Sequence, residues 1–361
     1  MSKFSGPGTR KVKRLLSLLL AGVSWITVGP RLEAGYIIQN LSGAYSGGLG
    51  INNAGQVTGF AYTPGNAGDH AFLWNGTSLQ DLGTLGGILS RGWGINNAAQ
   101  VTGSAQVGSG DSHAFLWNGT SMQDLGTLGG TESFGYGINN AGRVTGYAFT
   151  AGNLTRRAFL WNGTSMQDLG TLGGTNSSAT GINDAGQVTG DANTSGDAAF
   201  HAFLWNGTSM QDLGTLGGSV STGLAINNAG QVTGFAHTSG NATHAFLWNG
   251  TSMQDLGTLG GATSYGYGIN NAGHVVGDSS GVAFLWDGTA MRNLNDFVPG
   301  TGWQLVSAQA INDLGQITGA GYLNGEYRAF LMTPTPTPEP GTWVLAGLGL
   351  ATLSRLRRRR S

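Results

Sequence analysis

SRGWGINNAAQVTGSAQVGSGDSHAFLWNGTSMQDLGTL, residues 90–128, is one copy of a unit that the chain writes seven times between Tyr36 and Met332. The isoleucine of its GIN phrase returns at Ile51, Ile95, Ile138, Ile182, Ile226, Ile269 and Ile311, in steps of 44, 43, 44, 44, 43 and 42 residues. The alanine of HAFLW keeps step with it at Ala71, Ala114, Ala158, Ala202, Ala245, Ala283 and Ala329. Periods of about 40–50 residues belong to propellers and helical solenoids, so the content of one period decides between them. Residues 90–128 divide into SRGWGIN, QVTGSAQV, HAFLW and SMQDLGTL, each alternating or rich in β-branched and aromatic residues and bounded by Gly, Asn, Asp or Ser. No stretch keeps a helical period for ten residues. Four short antiparallel strands per period describe a propeller blade, so the expected fold is all-β, a seven-bladed β-propeller of four-stranded antiparallel blades.

Closure of the ring is also legible. The seventh unit lacks its last strand, because Ala329–Met332 runs into a proline-rich segment. The missing strand stands at the other end, where Tyr36–Gly43 precedes the first GIN and Leu41 occupies the position of Leu82. Pairing it with the last unit removes two open sheet edges. The open alternative, a β-solenoid, calls for distinct terminal caps, and the sequence offers none.

Gly accounts for 66 of 361 residues but sits at fixed places in each unit without a collagen triplet, so it acts as turn punctuation. Asn-Gly between HAFLW and MQDL, as at Asn118-Gly119, predicts a tight hairpin with positive φ. The same NGT copies match a glycosylation sequon, for which the hairpin is the simpler reason. From residue 35 to 340 there are six Arg and no Lys against fourteen Asp and three Glu, a net charge of −11 that argues against nucleic acid as a partner. Cysteine is absent, which excludes disulfides and thiolate metal sites.

The two ends read as addresses. Residues 1–34 carry Arg10, Lys11, Lys13 and Arg14, an apolar run from Leu15 to Val28, and then RLEA, which predicts a signal peptide cleaved between Ala34 and Gly35. A run of about 14 residues is too short for a spanning anchor, which needs about 20. At the other end a Pro-rich linker (333–341) holds Pro338, Glu339 and Pro340 and precedes a short apolar helix with an Arg-rich tail (342–361). This order resembles the PEP-CTERM sorting signal of exported Gram-negative proteins. The resemblance implies recognition by an exosortase, a transient inner-membrane anchor in the C-terminal helix, and delivery to the cell surface or an extracellular matrix.

Residues 35–332, with GINNAGQVTG ahead of HAFLWNGTSMQDLGTLGG, resemble the extracellular HAF repeat family. That resemblance implies surface-exposed bacterial repeats and assigns no catalytic residues. Intact HAF occurs at His70, His113, His201 and His244, whereas Arg157, Val282 and Arg328 replace the histidine elsewhere, so no chemistry common to all units needs it. Trp286-Asp287 and the paired glycines give a weaker likeness to tryptophan-aspartate and kelch propellers.

Repetition also argues against chemistry at the repeated positions. Equivalent histidines stand in different blades and do not converge on a metal, so a packing or strand-start role is expected and no metal or cofactor is assigned. Asp81, Asp124, Asp168, Asp212 and Asp255 share one environment, unlike an acid–base pair, and are expected to bond to a turn. Asn52-Asn53, Asn183-Asp184 and Asn312-Asp313 could hold calcium, but without carboxylates at EF-hand spacing they read as Asx turns. Trp74, Trp117, Trp161, Trp205, Trp248 and Trp286 read as packing between blades.

An asymmetric ligand needs an asymmetric site, so the places where the units disagree are the candidates. Arg91 and Trp93, Phe134 and Tyr136, and Tyr265 and Tyr267 alternate before the GIN glycine, against Ser178 and Thr180 in the fourth unit. Residues two apart face one side of a strand. If that strand is innermost, the six gather near one mouth of the axis, where rings stack on a sugar and Arg91 meets an acidic glycan; filling between blades is the competing role. The loop before HAF is the other variable place, with Asp69, Asp111, Arg156, Arg157, Asp191 and Asp197, and a merely solvated segment is its competing reading. The expected function is a non-catalytic surface or matrix protein that binds exopolysaccharide or another surface protein through one mouth. The alternative is a glycan hydrolase or lyase, but the irregular acids Glu132, Glu326 and Asp296 form no pair in the sequence.

Overall fold

The computed structural model describes residues 35–43, 45–62 and 68–335. The expected signal peptide, with Ala34, and the sorting segment, with Pro338, Glu339 and Pro340, lie outside them. Seven four-stranded antiparallel sheets form, and six take their strands consecutively from the chain. In the second blade the strands are Gly86–Ile95, Val101–Val107, Ser112–Trp117 and Met122–Asp124, in that spatial order from the axis outward. The fold is the expected seven-bladed propeller.

The seventh blade combines Trp303–Ile311, Ile317–Leu323 and Glu326–Pro334 with Tyr36–Asn40 from the start of the described chain. The register sets Ile38 opposite Met332 and Asn40 opposite Phe330. Leu41 donates its N–H to the Ala329 carbonyl at 3.1 Å, as Leu82 does to Ala71 at 2.9 Å, so the equivalence of the two leucines holds at the level of single bonds. The last strand runs two residues beyond the expected Met332, because Thr333 and Pro334 still pair with Ile37 and Tyr36.

HAFLW packs both of its faces. Phe115 and Trp117 lie against Ala71, Leu73 and Leu82 of the preceding blade, while Ala114 and Leu116 receive Phe159 and Trp161 of the following one. The phenylalanine is at most 1% exposed in every blade, so the expected packing between blades is what the aromatic residues do. A buried serine on six of the seven innermost strands ties the same seam. Ser133 Oγ accepts from the Ala114 N–H at 2.9 Å and donates to the Gly126 carbonyl at 2.5 Å. Ser46 accepts from Ala329 at 3.0 Å and so latches the closing seam.

The hairpin after HAFLW forms as expected, with the glycine at positive φ. Its loop has four residues, Asn118–Ser121; Gly119 has φ +106°, and Asn118 Oδ1 accepts from the Thr120 and Ser121 N–H groups at 3.0 and 3.1 Å. The turn is closed by the asparagine side chain, an Asx turn.

Candidate functional site

The GIN strand is innermost, and its isoleucines form a collar that separates two mouths. The narrow mouth, about 160 Å³, is built from the Asn-Asn and Asn-Asp pairs. Each first asparagine closes its own Asx turn; Asn52 Oδ1 accepts from the Gln56 N–H at 3.0 Å. Its Nδ2 then donates to the carbonyl of the first asparagine in the next blade, from Asn52 through Asn96 and onward to Asn312, which donates back to Asn52. A second circuit runs from each backbone N–H at Asn53, Asn97, Asn140, Asp184, Asn228, Asn271 and Asp313 to the side chain of the next. Asp184 Oδ2 accepts from Asn140 and Asn228, and Asp313 Oδ2 from Asn53 and Asn271, so these oxygens are occupied in binding neighbouring blades.

The repeated histidines and aspartates are also taken. His70, His113, His201 and His244 donate from Nδ1 to Asp81, Asp124, Asp212 and Asp255 at 2.8–3.0 Å. Each aspartate also accepts the N–H of a glycine two residues on, as Asp124 does from Gly126 at 2.8 Å, so the expected turn role holds and a partner is added. Two blades without the histidine, with Val282 and Arg328, lack the aspartate as well, having Asn293 and Asn40.

The wide mouth opens on a cavity of about 610 Å³. Every innermost strand breaks register at one common place in its blade: between Gly48 and Gly50, Gly92 and Gly94, Gly135 and Gly137, Ala179 and Gly181, Gly223 and Ala225, Gly266 and Gly268, and Ala308 and Ala310. The skipped residue of each β-bulge is Leu49, Trp93, Tyr136, Thr180, Leu224, Tyr267 or Gln309, and all seven line this cavity. A bulge re-aims a side chain, and here it gives each blade one position facing the axis.

The six expected ligand residues therefore divide. Trp93, Tyr136 and Tyr267 line the cavity, with Trp93 and Tyr136 edge to face at 5.4 Å. Arg91 and Phe134 flank a smaller depression of about 240 Å³ between the second and third blades. Arg91 donates to Asp69 at 2.9 Å and lies 4.7 Å over the Phe60 ring, so its acidic partner is the protein's own. Tyr265 packs on Phe235 at 5.2 Å and stacks beside Tyr267. The alternation that placed each pair on one face is broken by the bulge.

Two residues of the other variable segment, Arg156 and Asp191, converge on the cavity. Arg156 begins the third strand of the third blade and Asp191 lies on the second strand of the fourth, where small Ser178 and Thr180 leave a recess in the wall. Asp191, opposite Ser178 in the register, has a side chain 13% exposed, and Arg156 Nη2 approaches it at 3.7 Å, beyond hydrogen-bond distance. Burial pushes the Asp191 carboxyl up to about 6, with the nearby Arg156 pulling the other way. The Arg156 guanidinium also stands 5.6 Å over the Tyr147 ring, which lies 6.0 Å from Tyr136. Burial raises the hydroxyls of Tyr136 and Tyr267 above the usual phenol range, so both are neutral donors. Asp278, on the corresponding position of the sixth blade, accepts from Tyr267 at 3.4 Å.

Residues 336–360 match the PEP-CTERM protein-sorting motif, which implies an exported protein handled by an exosortase at the membrane. No curated protein matches the chain. Similar solved structures include TolB from Acinetobacter baumannii, with 12% identity over 77% of this chain and 63% of that one and a TM-score of 0.46. Putative TolB from Agrobacterium tumefaciens has 11% identity over 84% and 99% at 0.44. A puromycin-hydrolyzing peptidase from Mycobacterium tuberculosis has 12% identity over 81% and 49% at 0.48.

Proposed function

We propose that the protein is a non-catalytic component of the cell surface or extracellular matrix that binds polysaccharide through the wide mouth of its propeller. The observation that carries this reading is the set of seven bulge positions. The blades repeat one scaffold almost word for word, yet the residues they aim at the axis are Leu, Trp, Tyr, Thr, Leu, Tyr and Gln. An asymmetric lining on a repeated frame is what selection for an asymmetric ligand leaves. Aromatic faces beside a few polar groups suit the apolar and hydroxylated faces of a sugar ring, and the cavity volume is within the usual range of binding sites. The kinship of the repeats with the HAF family belongs to this proposal and rests on their wording.

The purified protein, passed over immobilised polysaccharides while reducing-end release is followed, tests the reading. Retention without release supports it, and Trp93→Ala with Tyr267→Ala should weaken retention while leaving the melting temperature nearly unchanged. Release of reducing ends would replace it with the hydrolase alternative, in which a carboxyl raised by burial, such as Asp191, is the group to suspect as an acid. Retention on another surface protein alone would move the ligand to that class.

A further inference from the structure

The fourth-blade recess combines features that the aromatic positions do not explain. Asp191 is a carboxylate almost out of solvent on a cavity wall, and no described group hydrogen-bonds to it; the only charged contact is Arg156 at 3.7 Å. The Arg156 guanidinium likewise makes no hydrogen bond among the described residues, its neighbours being that carboxylate and the Tyr147 ring. Carboxylates so little exposed are ordinarily hydrogen-bonded, and one that faces a cavity without a partner, beside a guanidinium 44% exposed, marks where a ligand would supply the partners. The contrast with Asp278 is direct, since that carboxylate accepts from Tyr267 within its own blade. At the recess Ser178 and Thr180 stand where the third and sixth blades carry Phe134 with Tyr136 and Tyr265 with Tyr267, and Thr180 Oγ1 is turned into the wall, donating to the Gly223 carbonyl at 2.7 Å.

We infer that this recess is a subsite for a neutral, polyhydroxylated sugar ring, whose hydroxyls donate to Asp191 and accept from Arg156 while Tyr136 covers one face. The inference rests on the reading of the wide mouth as a polysaccharide site and narrows its substrate class. Charge makes the choice. A uronate would meet the Asp191 carboxylate and a cationic group would meet Arg156, whereas a hydroxyl donates to one and accepts from the other. Arg91, which would have favoured an acidic glycan, is already bonded to Asp69.

The test compares retention of the purified protein on immobilised neutral hexans (dextran, a mannan and a galactan) and on polyuronates (alginate and polygalacturonate). The wild type should bind a neutral hexan at least tenfold more tightly than either polyuronate at pH 7.5. Asp191→Asn should lose at least tenfold of that affinity without losing thermal stability, and Arg156→Gln should lose affinity without turning preference toward uronates. Preference for a polyuronate, or neutral-hexan binding that Asp191→Asn leaves intact, overturns the subsite while the wide mouth remains a glycan site. Retention on none of the five overturns both.

Discussion

Asp191→Asn should make the protein more stable at neutral pH. The folded carboxyl titrates near 6 because burial outweighs the attraction of Arg156. In the unfolded chain it titrates at about 3.9, and each unit of difference is worth about 1.36 kcal/mol. Between those two values the native state holds the proton more firmly, so stability falls as pH rises from about 4 through about 6 and is level above. The difference of about two units corresponds to roughly 3 kcal/mol, and at 13% exposure solvent screens little of it. The asparagine carries no charge and should remove this slope. Urea unfolding of both proteins, in steps from pH 4 to pH 8, reads the effect directly. The curves should nearly coincide at pH 4 and separate by up to about 3 kcal/mol in favour of the variant above pH 6. Parallel curves, or a variant less stable at pH 8, would refute the account of Asp191 as a charge held at a cost for a ligand.

Other expectations concern the frame. Ser133→Ala leaves the Ala114 N–H and the Gly126 carbonyl unmet at a buried seam, at about 2–4 kcal/mol in urea unfolding; His113→Ala, which removes a partly exposed pair, should cost under about 1 kcal/mol. A Cβ on Gly103 would stand 1.9 Å from the Arg91 carbonyl oxygen, so Gly103→Ala must part the two innermost strands of its blade and should lose about 3 kcal/mol or more. Burial works upward on Asp184, but hydrogen bonds from the Asn140 N–H and the Asn140 and Asn228 side chains outweigh it and hold the carboxyl below the usual range. Its contribution is therefore present above about pH 3.9 and lost as pH falls through the lower folded value. Acid unfolding of Asp184→Asn should accordingly show a shallower loss below pH 4 than the wild type.

The period and the strand content of one unit were enough to read blade number, strand order and closure, because each blade repeats one pattern and Leu41 copies Leu82. The axial lining was less legible. Residues two apart share a face only on an unbroken strand, and the bulge at the glycine pair turns Trp93 inward while Arg91 stays outside the cavity. The signal was present in the Gly-x-Gly spacing around Trp93, Tyr136 and Tyr267, since glycine within a strand often marks a bulge. The joint loss of histidine and aspartate in two blades likewise recorded their pairing. Arg156 and Asp191 were hidden for another reason: they lie 35 residues apart in sequence on different blades, and only the closed ring sets both on one cavity. The asparagine circuits needed the ring itself, as each bond joins residues 42–44 apart in sequence except those closing from Asn312 and Asp313 to Asn52 and Asn53.

The whole cavity depends on seven blades closing around one axis, with Tyr36–Asn40 completing the last. Native-state hydrogen exchange at the amides of residues 36–41 addresses that closure most directly. The account predicts that Leu41, bonded to the Ala329 carbonyl, exchanges about as slowly as Leu82 and Leu125 in their blades. Exchange of residues 36–41 at the rate of an unstructured chain, while the other blades stay protected, would contradict it.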